Sequence, residues 1–153
     1  MTEIALPKID KSILNNKSEI VRKLAKFTNP ENVLSEADEL RPYETDALSV
    51  YTQTPLAVVL PENTQEVSEI LKYCNEQNIK VVPRGAGTGL SGGALPLQDA
   101  ILLGLGKFNK ILEIDYENKC VITQPGVTNL GITHAVEHKG FYYAPDPSSQ
   151  LAC

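Results

Sequence analysis

The chain has 153 residues, 42% of them hydrophobic and 22% charged, an ordinary globular composition. At that length one domain can bury roughly 70% of the surface its unfolded chain exposes. Fourteen Lys and Arg against nineteen Asp and Glu leave a net charge of −5. This argues against a general nucleic-acid binder or an anionic-membrane binder, both of which need basic surface. No apolar run approaches the roughly 18 residues of a membrane span. The start, Met1 to Pro7, lacks the basic-then-apolar layout of a signal peptide. Cys74, Cys120 and Cys153 form no C-x-x-C pair and leave an odd count, so a reduced, cytoplasmic chain is expected.

In chain order, residues 1–45 read as a polar N-terminal helical arm. Ser18 or a neighbour is placed to cap a helix carrying Ile20, Leu24 and Phe27, and Ser35 opens the acidic stretch Glu36-Ala37-Asp38-Glu39. Leu56 to Leu60 is a continuous apolar run, as in a strand buried on both faces. Asn63 with Glu66 three residues on resembles a capping box. Val67, Ile70, Leu71 and Cys74 then form one apolar stripe, and Asn78 closes the helix. Lys80 to Pro83 is a second short strand, so the segment predicts a βαβ unit with parallel strands. A third apolar run spans Ala100 to Leu103. Ile111–Ile114 and Cys120–Thr123 flank Asp115 to Lys119 as a hairpin. Residues 127–138 read as helix, with Gly140 just past its end.

Between the second and third strands, Gly85-Ala86-Gly87-Thr88-Gly89-Leu90-Ser91-Gly92-Gly93 holds five glycines in nine residues. Glycine tolerates positive φ and close approach, and successive amides in such turns converge into an anion nest. Thr88, Ser91 and Arg84 add donors and charge, which suits a phosphate or pyrophosphate. The alternative is a glycine hinge with no ligand. A P-loop is excluded, because no lysine lies between Arg84 and Lys107. Gly87 to Gly92 matches the G-x-G-x-x-G fingerprint, but Pro96 and an apolar strand follow too soon for the helix that fingerprint requires. The loop therefore runs from strand to strand.

Four segments carry a family resemblance: PLAVVLPENTQEV from Pro55, KVVPRGAGTGLSGGALPL from Lys80, QPGV at Gln124–Val127 and YAPDPSSQLAC from Tyr143. With them, residues 55–153 resemble the start of the FAD-binding domain of the vanillyl-alcohol oxidase and p-cresol methylhydroxylase superfamily. Within it, the likeness is to the FAD-linked subunits of bacterial glycolate oxidases and to D-lactate dehydrogenases. The resemblance implies an α+β fold with an α/β start: a small βαβ subdomain, then the first strands and helix of a second. Residues 46–153 would be the first part of a flavin domain whose remainder, with the substrate cap, is absent. It implies FAD, its pyrophosphate held by Pro83, Arg84, Gly85, Ala86, Gly87, Thr88, Gly89, Gly92 and Gly93. Asp146, Pro147, Ser148 and Ser149 would lie along the flavin. It further implies hydride removal from a small 2-hydroxy acid of the glycolate or D-lactate type in the complete protein. Flavin and iron–sulfur partner subunits, and through them attachment to the inner membrane, are part of the same implication. No catalytic residue carries over, because the family's substrate-binding histidines and arginines lie beyond the matched stretch. The chain alone is expected to be inactive, with apolar edges that favour self-association.

Two readings from other classes stand beside this one. A non-catalytic binding or assembly module would keep the fold and lose the chemistry. His134-Ala135-Val136-Glu137-His138 spells H-x-x-E-H, which on one helix face suggests a zinc hydrolase. A third ligand is needed, and the only carboxylate after it is Asp146, so an amphipathic helix with solvated polar residues is the plainer account. Asp115 and Glu117 suggest paired carboxylates, but acidic residues are expected in a hairpin turn.

Overall fold

The computed structural model describes residues 7–152. Helix α1, Lys11–Asn15, is capped by Asp10, whose carboxylate accepts from the Ser12 amide at 2.8 Å. Helix α2, Lys17–Leu24, follows after a break at Asn16. Ser18 is therefore not the cap; it lies inside α2, and the two short helices meet at Asn16. Ile20 and Leu24 are buried, while Phe27 lies past the helix and packs against Tyr73 at 5.6 Å between ring centroids. The short strand β1, Val33–Leu34, was hidden in a stretch that reads as helical. Helix α3, Ala37–Leu40, starts at Glu36, and Glu39 turns back to accept from the amides of Ser35 and Glu36.

Strand β2, Ala57–Val59, is wholly buried. Helix α4, Thr64–Glu76, begins where the Asn63 side chain accepts from the Glu66 amide at 3.0 Å. The Glu66 carboxylate reaches past the cap to the Glu62 amide instead of closing a standard box. Val67, Ile70 and Cys74 face the core, whereas Leu71 is 44% exposed, and Tyr73 supplies the flank. The helix ends as expected at Asn78, whose φ of 54° is left-handed. The amides of Asn78 and Ile79 bond back to the carbonyls of Asn75 and Cys74, a Schellman closure.

Strands β3, Lys80–Arg84, and β4, Ala100–Gly104, complete a four-stranded sheet of order β1-β2-β4-β3. β1 is antiparallel to β2, while β2 and β3 both run parallel to β4. The βαβ strands are thus parallel, with β4 inserted between them. Period-two alternation explains the unbroken apolar runs. Ala57, Val59, Ile101 and Leu103 meet Ile20, Leu24, Ile70 and Cys74 on one face; Val58 and Leu102 meet Leu40 on the other.

At the start of β4, Asp99 is 2% exposed, paired with Lys80 at 2.6 Å and accepting from the Asp10 amide. Burial pushes its carboxyl up, but these bonds outweigh it and hold it below the usual range. Burial pushes the Cys74 thiol up to about 11. Cys74 and Cys120 are free thiols, and Cys153 lies outside the described residues.

A second, two-stranded sheet pairs β5, Ile111–Asp115, with β6, Cys120–Thr123, antiparallel and with a bulge between Ile111 and Glu113. Asp115 accepts from the Asn118 side chain and amide, which lower its pKa and fix the turn. Helix α5, Asn129–Val136, is capped by Thr128; a 3₁₀ turn, Glu137–Lys139, ends at Gly140 with φ 77°. Gly126 joins the two sheets. Its amide donates to the Phe108 carbonyl at 2.9 Å, and a Cβ there would collide with the carbonyl oxygens of Leu105 and Phe108. Among the described residues no helix is long and apolar enough to cross a membrane.

Candidate functional site

The glycine-rich loop leaves the carboxyl end of β3, where open parallel sheets place their ligands. From Arg84 it runs directly to β4 with no intervening helix, so the dinucleotide fingerprint at Gly87–Gly92 is a match of letters only. None of the amides from Gly85 to Ala94 donates a hydrogen bond to protein among the described residues. On an exposed loop such amides are free to bond water or a ligand. Gly87 and Gly92 have φ of 74° and 73°, a region that disfavours side chains. At Gly85, Gly89 and Gly93 a Cβ would meet nothing, so open space lies over three of the five glycines. Thr88 and Ser91 are exposed on the same loop.

Arg84 is less free than its sequence position suggests. Its Nη1 donates to the Thr45 carbonyl at 2.7 Å and to the Tyr43 carbonyl at 3.4 Å, and its guanidinium lies 5.8 Å from the Tyr43 ring centroid. A Cβ on Gly87 would crowd that guanidinium, 2.7 Å from its Cζ. The charge stays beneath the loop, clamped by a segment some forty residues upstream. Sequence reasoning missed that segment, since Tyr43, Thr45 and Ala47 belong to no motif.

Pro83 and Arg84 close β3 and Gly85 to Gly93 form the loop that follows it, whereas Asp146 to Ser149 follow α5 and its 3₁₀ turn. There Asp146 lines a hollow with Leu130, Thr133, Tyr142 and Gln150, and no glycine-loop residue lines it. The Gln150 amide turns back to the Pro147 carbonyl at 2.9 Å, and the Tyr143 amide donates to the Thr133 hydroxyl at 3.1 Å. The two histidines do not share one α-helix: His134 is in α5, but His138 lies in the 3₁₀ turn, edge-on to Tyr116 at 6.5 Å. The tighter winding rotates His138 away from the i, i+4 alignment an α-helix would give. Among the described residues no group of three or more His, Cys, Asp or Glu is arranged to hold a metal.

The loop's chemistry fits a diphosphate: unpartnered amides, two hydroxyls, open glycine faces and a cation beneath. Comparison with known proteins bears on the family. A family described as FAD binding domain matches residues 55–153. The glycolate oxidase subunit GlcD of Escherichia coli (strain K12) is 44% identical over 149 residues, covering 97% of this chain and 29% of that protein. A D-lactate dehydrogenase of Anaerostipes hadrus is 36% identical over 124 residues, 80% of this chain and 26% of the other. Among solved structures, p-cresol methylhydroxylase with substrate bound superposes with a TM-score of 0.72 at 28% identity, over 86% of this chain and 26% of that one. The chain thus spans under a third of the length of these relatives. On the match over residues 55–153, the chain belongs to the FAD binding domain family.

Proposed function

We propose that this chain supplies the pyrophosphate-binding part of an FAD site in an oxidoreductase acting on a small 2-hydroxy acid. The observation that carries the reading is the run of amides from Gly85 to Ala94 that donate to no protein group among the described residues, on a loop rich in open glycines. Pro83 to Gly89 with Gly92 and Gly93 would hold the diphosphate. Arg84 beneath the loop offsets its charge, and Thr88 and Ser91 offer hydroxyl donors. Asp146 to Ser149 would border the flavin side. The flavin, when bound, supplies hydride acceptance from the α-carbon of an acid such as glycolate or D-lactate. The chain's own work is to bind and orient; the residues that hold the acid belong to the parent protein. The relative named as a subunit supports partner subunits in that parent as well.

The test is uptake of FAD by the chain, followed by desalting and reading of the flavin absorption bands. Retained flavin near one per chain is expected. A folded chain that neither retains flavin nor changes its loop amide resonances with inorganic pyrophosphate would sink the reading. With glycolate or D-lactate and a dye acceptor, the chain alone should show no turnover.

A further inference from the structure

Within the exposed loop no amide from Gly85 to Ala94 donates a hydrogen bond, and the turn bond from the Leu95 amide to the Gly92 carbonyl at 3.2 Å leaves the stretch around Gly87 with no internal reason to keep one shape. Glycine loses more backbone freedom on ordering than any other residue, so a glycine loop that binds well must be ordered from outside. Here the outside grip comes from one short strap. The Thr45 and Tyr43 carbonyls hold Arg84, and the Ala47 amide donates to the Gly87 carbonyl at 2.9 Å. Leu48 lies beneath Gly92, its Cδ2 3.8 Å from where a Cβ would stand. The left-handed turn at Gly87 is thus pinned from two sides, by its carbonyl and by the guanidinium under it.

The strap is in turn organised around Asp46, which is 5% exposed. Its Oδ1 accepts from the Leu48 amide at 2.9 Å, and its carbonyl accepts from the Thr45 hydroxyl at 3.0 Å. This Asx turn aims the Ala47 amide outward, at Gly87. The second oxygen, Oδ2, is buried with no partner among the described residues. Burying a carboxylate with idle acceptor capacity costs stability, so its retention needs a reason beyond packing.

We infer that Tyr43–Leu48, which precedes the family match at residue 55, is a wall of the cofactor site, and that Asp46 is a positioning residue that sets the glycine loop for the FAD pyrophosphate. The inference rests on the proposed FAD reading. It extends the site to a segment outside the matched domain, and it gives Arg84 a role in shaping the loop besides its charge.

The experiment compares the parent chain with Asp46→Ala and Asp46→Asn. FAD affinity is measured by titration, and the loop by the amide resonances of Gly85–Gly93 with and without inorganic pyrophosphate. Asp46→Ala should bind FAD about tenfold more weakly, the scale of a modest loss of preorganisation. Its loop resonances should shift even without ligand, while those of Ile101–Leu103 stay in place. Asp46→Asn keeps an acceptor for the Leu48 amide and should stay within about threefold of the parent. Parent-like affinity and loop resonances in Asp46→Ala would overturn the inference. Equal impairment of both variants would overturn the Asx turn as its cause. A parent chain that binds neither FAD nor pyrophosphate would instead remove the underlying site reading, and the strap's role with it.

Discussion

The two sheets of this chain solve the same problem unequally. In the first, β2 and β4 are buried on every residue, with α2 and α4 on one face and Leu40 on the other. In the second, β5 and β6 form a lone hairpin whose Leu112 and Ile122 are 60% and 52% exposed. A two-stranded ribbon is marginal in water by itself, so the hairpin depends on α5 and on the Gly126 joint. The parallel sheet is a finished core that presents a loop at its carboxyl edge. The hairpin is a surface with apolar side chains still facing outward.

Core substitutions break the comparison most sharply. Leu102→Ala, at a fully buried centre of β4, should cost about 2–5 kcal/mol in urea unfolding. Leu112→Ala, on the exposed face of β5, should stay within about 0.5 kcal/mol. Similar losses at both positions would show the hairpin to be as well covered as the sheet.

Next in size is the joint. Gly126→Ala sets a methyl against two carbonyl oxygens and should cost about 1–3 kcal/mol, the range for overpacking. Hydrogen exchange should rise in β5 and β6 more than in β4. A uniform rise would mean that the two sheets unfold as one.

The loop separates shape from occupancy. Gly87→Ala meets both a φ of 74° and the Arg84 guanidinium, so it should lower stability by about 1–2 kcal/mol and abolish FAD uptake. Gly89→Ala meets nothing, so its melting temperature should be unchanged while FAD uptake falls. Unchanged uptake in Gly89→Ala would show that its open face is not the one a cofactor approaches.

The smallest effect is a pH dependence at the edge of the sheet. Asp99 has its carboxyl held low by Lys80 and the Asp10 amide against the opposing effect of burial. Its contribution is complete above the ordinary aspartate pKa of about 3.9 and is lost as pH falls through the lowered folded value. Asp99→Asn should flatten the stability curve on that acid limb and leave its shape near neutrality unchanged. An acid limb identical to the parent's would remove the pair from the account.

Local signals were the legible ones. The apolar runs at β2 and β4, the Asn63 start and Asn78 end of α4, and the turn residues of the hairpin each carry their cause within a few residues. The passage from glycine loop to strand was legible too, because Pro96 and the run at Ala100 leave no room for a helix. What stayed hidden depends on partners far away in the chain. Val33–Leu34 becomes a strand only because β2 offers an edge, and Leu71 stays outside because Tyr73 and Phe27 fill the flank. The grip of Tyr43 and Thr45 on Arg84 stayed hidden as well, because nothing near Arg84 in the sequence announces them.

The strand order has a consequence for how the molecule comes into being. β4 is the last of the three parallel strands in the chain, yet it lies between the other two. Until Gly104 exists, β3 has no strand beside it, and Val81 and Val82 wait without their partners Ile101 and Leu102. On a ribosome the sheet therefore cannot close until β4 has followed β3, with residues 85–99 as the tether between them. The segment proposed to receive the diphosphate is also the one the growing chain must fold back through before it has a core.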